Sequence, residues 1–144
     1  MVFGGAGLAV LLAAVTAVLL IGRKAPRPAE RMQPGRWAIA TGVNGQGLGT
    51  PVTSCIDAAA ARAANGSQDE IAEAAQAEGA AQSCQVSEVL VAGPVVTIEM
   101  VCQGQPARST MSYRGTSYEG TFVTGIGRPG SRTVAMRGQR IGDC

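Results

Sequence analysis

The sequence predicts a mainly β domain of the α+β class. It is an antiparallel meander, rolled into a strongly curved sheet or an open barrel, with a short helical insert and two disulfides. A single N-terminal transmembrane helix precedes it. Three observations carry this expectation. From Cys84 onward, apolar residues recur at every second position in short runs separated by Gly-containing turns. Ahead of them, an Ala-rich stretch carries helix-start signals. Four cysteines, Cys55, Cys84, Cys102 and Cys144, are spread through a domain whose aromatic residues are Trp37, Tyr113, Tyr118 and Phe122. Ala supplies much of its nominal hydrophobicity, so the buried area is small and covalent staples compensate.

Residues 2–22, VFGGAGLAVLLAAVTAVLLIG, carry no charge, and Thr16 is the one polar side chain. A helix of that length, at about 1.5 Å per residue, spans the ~30 Å hydrocarbon core. No Lys or Arg precedes the run, which exceeds the roughly 7–15 apolar residues of a signal peptide. No Cys follows until Cys55, against a lipoprotein signal. The reading is an uncleaved single-pass anchor in the lipid bilayer. Gly5, Ala9, Ala13 and Ala17 recur every fourth residue, a small-residue stripe suited to helix packing. Arg23, Lys24, Arg27 and Arg31 stand against Glu30 and read as an interface anchor at anionic head groups. With Pro26, Pro28 and Pro34 nearby, residues 23–33 read as an extended linker, so the domain covers 34–144.

Residues 36–43 form the first strand, a Gly-rich loop follows at 44–49, and 51–55 is short and extended. Residues 57–64 read as a short helix with Asp57 near its start. Ser67 and Glu70 form a capping box that opens a second helix over 68–78, stopped by Gly79. Residues 85–92 and 95–102 flank Gly93-Pro94 as a hairpin, with Val96, Ile98 and Met100 on one face and Thr97 and Glu99 on the other. Residues 108–114, 118–126 and 132–136 continue as strands, broken by Gly115, by 127–130 and by Gly138.

The spacing of the cysteines contains no C-x-x-C pair, and the sequence has no His, which argues against a metal site. The leading pairing is Cys55–Cys84, stapling the helical insert, with Cys102–Cys144 tying the chain back to the sheet. The other is Cys84–Cys102 across a hairpin with Cys55–Cys144. Disulfides place the domain in an oxidising compartment. The basic cluster after the anchor argues for the cytoplasm under the positive-inside rule.

The chain carries a formal +2, but residues 34–144 hold eight Arg against nine acids, which is no broad basic face for nucleic acid. The charges segregate: 55–99 hold seven acids against Arg62, and 108–144 hold six Arg against Glu119 and Asp143. A solvated face accounts for them, as it does for Glu70, Glu73 and Glu78. Gly45-Gln-Gly-Leu-Gly49 lacks the Lys-Ser/Thr and following helix of a phosphate loop. Asn65-Gly-Ser67 matches a glycosylation sequon whose Ser already caps a helix. No His exists to activate a Ser or Thr, so no catalytic residue, cofactor or metal is expected.

Pro34-Gly-Arg-Trp37 opens the domain, and Cys84-x-Val86 and Cys102-x-Gly104 follow. Tyr113-x-Gly115-x-x-Tyr118-x-Gly120 and a closing Gly138-x-Arg140-Ile-Gly-Asp-Cys144 complete a pattern. From about Gln33 to Cys144 this resembles the proteobacterial domain of unknown function 3617 family. The resemblance implies an exported protein of a Gram-negative bacterium and supplies no activity. Family members usually carry a signal peptide or lipoprotein signal; the long apolar run here favours a tethered domain. The expected role is a non-catalytic accessory subunit of a larger bacterial inner-membrane complex, respiratory or photosynthetic. Trp37, Tyr113 and Tyr118 would then be contact aromatics for its membrane-protein partners. The alternative is a membrane-tethered periplasmic module that binds a small apolar ligand or a partner protein. For a ligand it requires a cavity of ~300 Å³ or more beneath the sheet.

Overall fold

The computed structural model of the protein describes residues 30–144. The small-residue stripe Gly5, Ala9, Ala13 and Ala17, and the cations Arg23, Lys24 and Arg27, lie outside the described residues. Among the described residues no helix is long and apolar enough to cross a membrane.

Seven strands and two helices follow one another as β1 (Gly35–Val43), β2 (Val52–Ile56), α1 (Ala58–Asn65), α2 (Gln68–Ala81), β3 (Cys84–Ala92), β4 (Val95–Cys102), β5 (Gln105–Tyr113), β6 (Ser117–Thr124) and β7 (Arg132–Gly142). They form one antiparallel sheet in the order β2-β1-β7-β6-β5-β4-β3. The sheet is not closed, since β2 and β3 are its two edges.

β3 to β7 are the meander read from the period-two pattern. β1 breaks that simple succession by pairing with β7, residue for residue from Trp37↔Arg140 to Val43↔Val134. The turns suit tight antiparallel connections. Gln103 and Gly104, between β4 and β5, both take positive φ (50° and 75°), as a two-residue hairpin loop demands.

The helices connect one edge of the sheet to the other and lie against one face. Asp57 caps α1 by accepting from the Ala60 amide at 2.8 Å. Ser67 and Glu70 close the capping box of α2 in both directions, at 3.3 and 2.7 Å. Ile71 of α2 is buried with Val89 and Val96. A second cluster of Met32, Trp37 and Tyr118 lies further across the same face, and Tyr113 packs against both clusters.

Three boundaries differ from the sequence reading. α2 does not stop at Gly79 but runs through it to Ala81. A side chain at Gly79 would press on the Cys84 carbonyl at 3.2 Å, so the glycine serves a close helix–strand approach, not a cap. β7 continues through Gly138, because the Tyr118 ring lies directly over that glycine and fills the space of a side chain. The domain also begins earlier than Pro34. Met32 is buried and forms a parallel bridge with Gly115, so residues 31–33 belong to the fold and not to a linker.

The disulfides are Cys55–Cys144 and Cys84–Cys102. This corrects the leading expectation of Cys55–Cys84 with Cys102–Cys144. Cys84 and Cys102 are register partners across β3 and β4, their Cα atoms 4.0 Å apart. Cys55 lies on β2 at the opposite edge of the sheet, beyond the ~7 Å Cα separation that a disulfide can bridge. It meets Cys144, which follows β7, at a Cα distance of 5.8 Å.

Candidate functional site

The two helices do not pack flush on the sheet. Ala60, Ala63 and Ala64 of α1 and Ala74 and Ala75 of α2 face Val96, Ile98, Met100 and Phe122 across a cavity of about 450 Å³. Small side chains on the helices and medium ones on the strands leave this space, and Ile71 and Val96 close it at one side. The expected alternation of β4 is what lines it: Val96, Ile98 and Met100 point in, while Glu99 points out to bond Arg108 on β5.

Polar groups in the lining are few. Ser109 and Tyr113 stand on the sheet side, Glu78 on α2 and Gln82 just after it, and the Cys84 end of one disulfide is also in the lining. Burial raises the Tyr113 hydroxyl above its ordinary range; the neighbouring Tyr118 adds to this, and the Arg31 charge opposes it. Burial likewise raises Tyr118. Both phenols therefore stay neutral donors at physiological pH.

A strap of three residues closes one end of the cavity. Arg31 donates from Nε to the Gly93 carbonyl at 2.8 Å and from Nη1 to the carbonyls of Ala64 and Gly66 at 3.1 and 2.9 Å. Asn65 accepts from the Met32 amide at 2.8 Å and donates to the Met32 carbonyl at 2.7 Å. On the other side, the Gln33 amide donates to the Gly115 carbonyl and the Gly115 amide donates to the Arg31 carbonyl, both at 2.9 Å. Met32 lines the apolar cavity, whereas Arg31 and Gln33 line a second hollow of about 570 Å³ beside Pro94 and Arg114.

Several expected roles are corrected by this arrangement. Arg31 is not a head-group anchor, because its guanidinium is committed to three carbonyls that knit the helices to the β3–β4 turn. Trp37 is fully buried and Tyr118 nearly so, which removes both from any partner surface. The Trp37 indole donates to the Gln33 carbonyl at 3.1 Å and stands 5.5 Å from the Tyr118 ring, which in turn stands 6.1 Å from Tyr113. Tyr113, half-buried, reaches both cavities.

Asn65 is the residue that sequence reasoning missed. Its sequon drew attention to a glycan, whereas its side-chain amide reads the Met32 backbone in both directions. The Asn-Gly step between two helices was the one available signal. Among the described residues no three His, Cys, Asp or Glu side chains gather as a metal site.

Of the segregated charges, Arg108 and Glu99 join the two regions, on the face away from the helices. Arg108 pairs with Glu99 at 2.7 Å, and Glu119 stands 3.7 and 3.8 Å from Arg114 and Arg137, all well exposed. Pairs of this kind contribute about 0–1 kcal/mol each.

The two end motifs interlock. Arg140 donates to the Pro34 carbonyl at 2.8 Å and pairs with Asp143, Gly138 seats Tyr118, and Cys144 reaches Cys55. The motif residues thus build the Trp37 end of the core. No curated protein and no solved structure shows significant similarity to the chain. Residues 32–144 match the model of the family described as protein of unknown function (DUF3617). The buried Met32 that opens this match and the disulfide-bonded Cys144 that closes it bound one folded unit, and the chain belongs to that family.

Proposed function

We propose that this domain is a non-catalytic binding module, tethered to the membrane by residues 2–22 on the periplasmic side, that takes a small apolar ligand between its helices and its sheet. The observation that carries this reading is the cavity of about 450 Å³. It exceeds the ~300 Å³ at the lower end of ligand pockets and has the expected character, an apolar lining with a few convergent polar groups. Two disulfides support an oxidising compartment. The reading as an accessory subunit of an inner-membrane complex draws on the stripe Gly5, Ala9, Ala13 and Ala17 and on contact aromatics. With Trp37 and Tyr118 in the core, its aromatic surface reduces to Tyr113, so ligand binding is the better supported function.

The test uses the full chain in phosphatidylcholine nanodiscs with 12-bromododecanol as probe. The bromine quenches Trp37, the one tryptophan of the chain, which packs behind the lining residues Met32 and Tyr113. Saturable quenching is expected, and Ala75→Phe, which fills the cavity, should abolish it while far-UV circular dichroism stays unchanged. Equal quenching in the wild type and the filled variant would sink the proposal.

A further inference from the structure

We infer that the cavity selects a cationic amphiphile, an apolar body carrying an ammonium group that is held by Glu78 at the C-terminal end of α2. The inference rests on the ligand-binding reading above and adds the chemical class of the ligand. Of all the side chains lining the cavity, Glu78 alone bears a charge; no Lys or Arg reaches the lining. An anionic amphiphile such as a fatty acid would bring its carboxylate to this carboxylate, and the guanidinium at the Met32 end, Arg31, is already committed to the carbonyls of Gly93, Ala64 and Gly66. A cation finds a partner whose one side-chain hydrogen bond is a long contact from Gln82, at 3.5 Å. No Lys or Arg pairs with Glu78 among the described residues.

Two independent features add to the same sign. Glu78, Gly79 and Gln82 lie where the carbonyls of α2 end, and a helix C-terminus carries a partial negative charge that favours cations. Natural helices commonly meet that charge with Lys or Arg in the last turn, but α2 has no basic residue there. The helical pair as a whole is acidic as well: Asp57, Asp69, Glu70, Glu73 and Glu78 stand against Arg62. On the far face of the sheet, Arg108, Arg114 and Arg137 are paired with Glu99 and Glu119. A cation approaching the cavity therefore meets an attractive potential that ends at Glu78, beside Gln82 and above the apolar Met100 and Ile98.

The experiment compares three bromine-tagged probes of one chain length, 12-bromododecylammonium, 12-bromododecanol and 12-bromododecanoate, by Trp37 quenching of the full chain in phosphatidylcholine nanodiscs. The ammonium should half-saturate at a concentration about fivefold below the alcohol, as an exposed ion pair allows, and the acid above it. Glu78→Gln should bring the ammonium and the alcohol to within about twofold while leaving the alcohol unchanged. Glu78→Lys should place the acid first. Because each ratio is compared between variants in the same bilayer, partition of the probes into lipid cancels. If the alcohol binds and the ammonium gains nothing over it, or if the gain survives Glu78→Gln, the inference falls while the ligand-binding reading stands. If no probe quenches saturably, both fall.

Discussion

Arg31 and Asn65 show how much of this fold hangs on single side chains that join segments distant in sequence. Arg31 reaches Gly93 on one side and Ala64 and Gly66 on the other, and Asn65 holds the Met32 backbone. Replacing Asn65 with Ala leaves the Met32 amide and carbonyl without these partners in a part-buried setting, a cost of about 1–3 kcal/mol. Arg31→Ala loses three charge-assisted bonds and should cost about 2 kcal/mol after allowance for its partial exposure. Urea denaturation of the single and double variants checks this, and the double should cost less than the sum, because both residues hold the same strap. A double variant that is fully additive would mean that the two act independently. Neither role was legible in the sequence. Arg31 sits among Arg23, Lys24 and Arg27 in a Pro-rich stretch, and a cation bound to carbonyls looks, in one dimension, like a cation facing lipid. Trp37 misled for a related reason: with so few aromatics, exposure and burial leave the same trace, and the Gly138 that receives the Tyr118 ring lies far along the chain.

At the scale of elements, what could be read was what local chemistry dictates. The capping box at Ser67 and Glu70 and the Asp57 cap needed only a few consecutive residues, and both helices start where those residues place them. Their ends depended on neighbours. Gly79 has the form of a terminator, yet the helix passes through it because β3 lies close enough to leave no room for a side chain. The hydrogen bonds that Glu70 accepts from Ser67, from the backbone amide first and the hydroxyl second, hold its carboxyl below the ordinary value of 4.5. A carboxylate with a lowered folded-state pKa contributes stability that is present above that ordinary value and lost as pH falls through the lowered one. Helix content followed by circular dichroism should therefore decline from about pH 4.5 downward in the wild type, whereas Glu70→Gln, which keeps a capping side chain without a charge, should flatten that slope. Ser67→Ala should cost about 1 kcal/mol. An unchanged acid slope in Glu70→Gln would assign the loss to other carboxylates.

For the molecule as a whole, the strand order decides which covalent links matter. Cys55–Cys144 closes a sequence separation of 89 residues and Cys84–Cys102 one of 18. On the loop-entropy account these stabilise by about 4–5 and about 3 kcal/mol. The double replacement Cys55→Ser with Cys144→Ser should therefore lower stability more than Cys84→Ser with Cys102→Ser. Unfolding curves of the two, together with proteolytic mapping of linked peptides under non-reducing conditions, check both the order and the connectivity. A Cys55–Cys84 peptide would overturn the topology drawn here. The meander could be read because each of its strands pairs with its neighbour in sequence. The place of β1 against β7 could not, since nothing in either strand names a partner about a hundred residues away. That pairing also sets a timetable for biogenesis. As the chain is synthesised from its N-terminus, β1 and β2 emerge first but find only each other, and a two-stranded ribbon is marginal in water. The Trp37 cluster and the closing disulfide wait until β7 has arrived. Assembly is thus gated by the final strand, and during that interval the early hairpin leaves the apolar side chains of Trp37, Ile39 and Val43 uncovered.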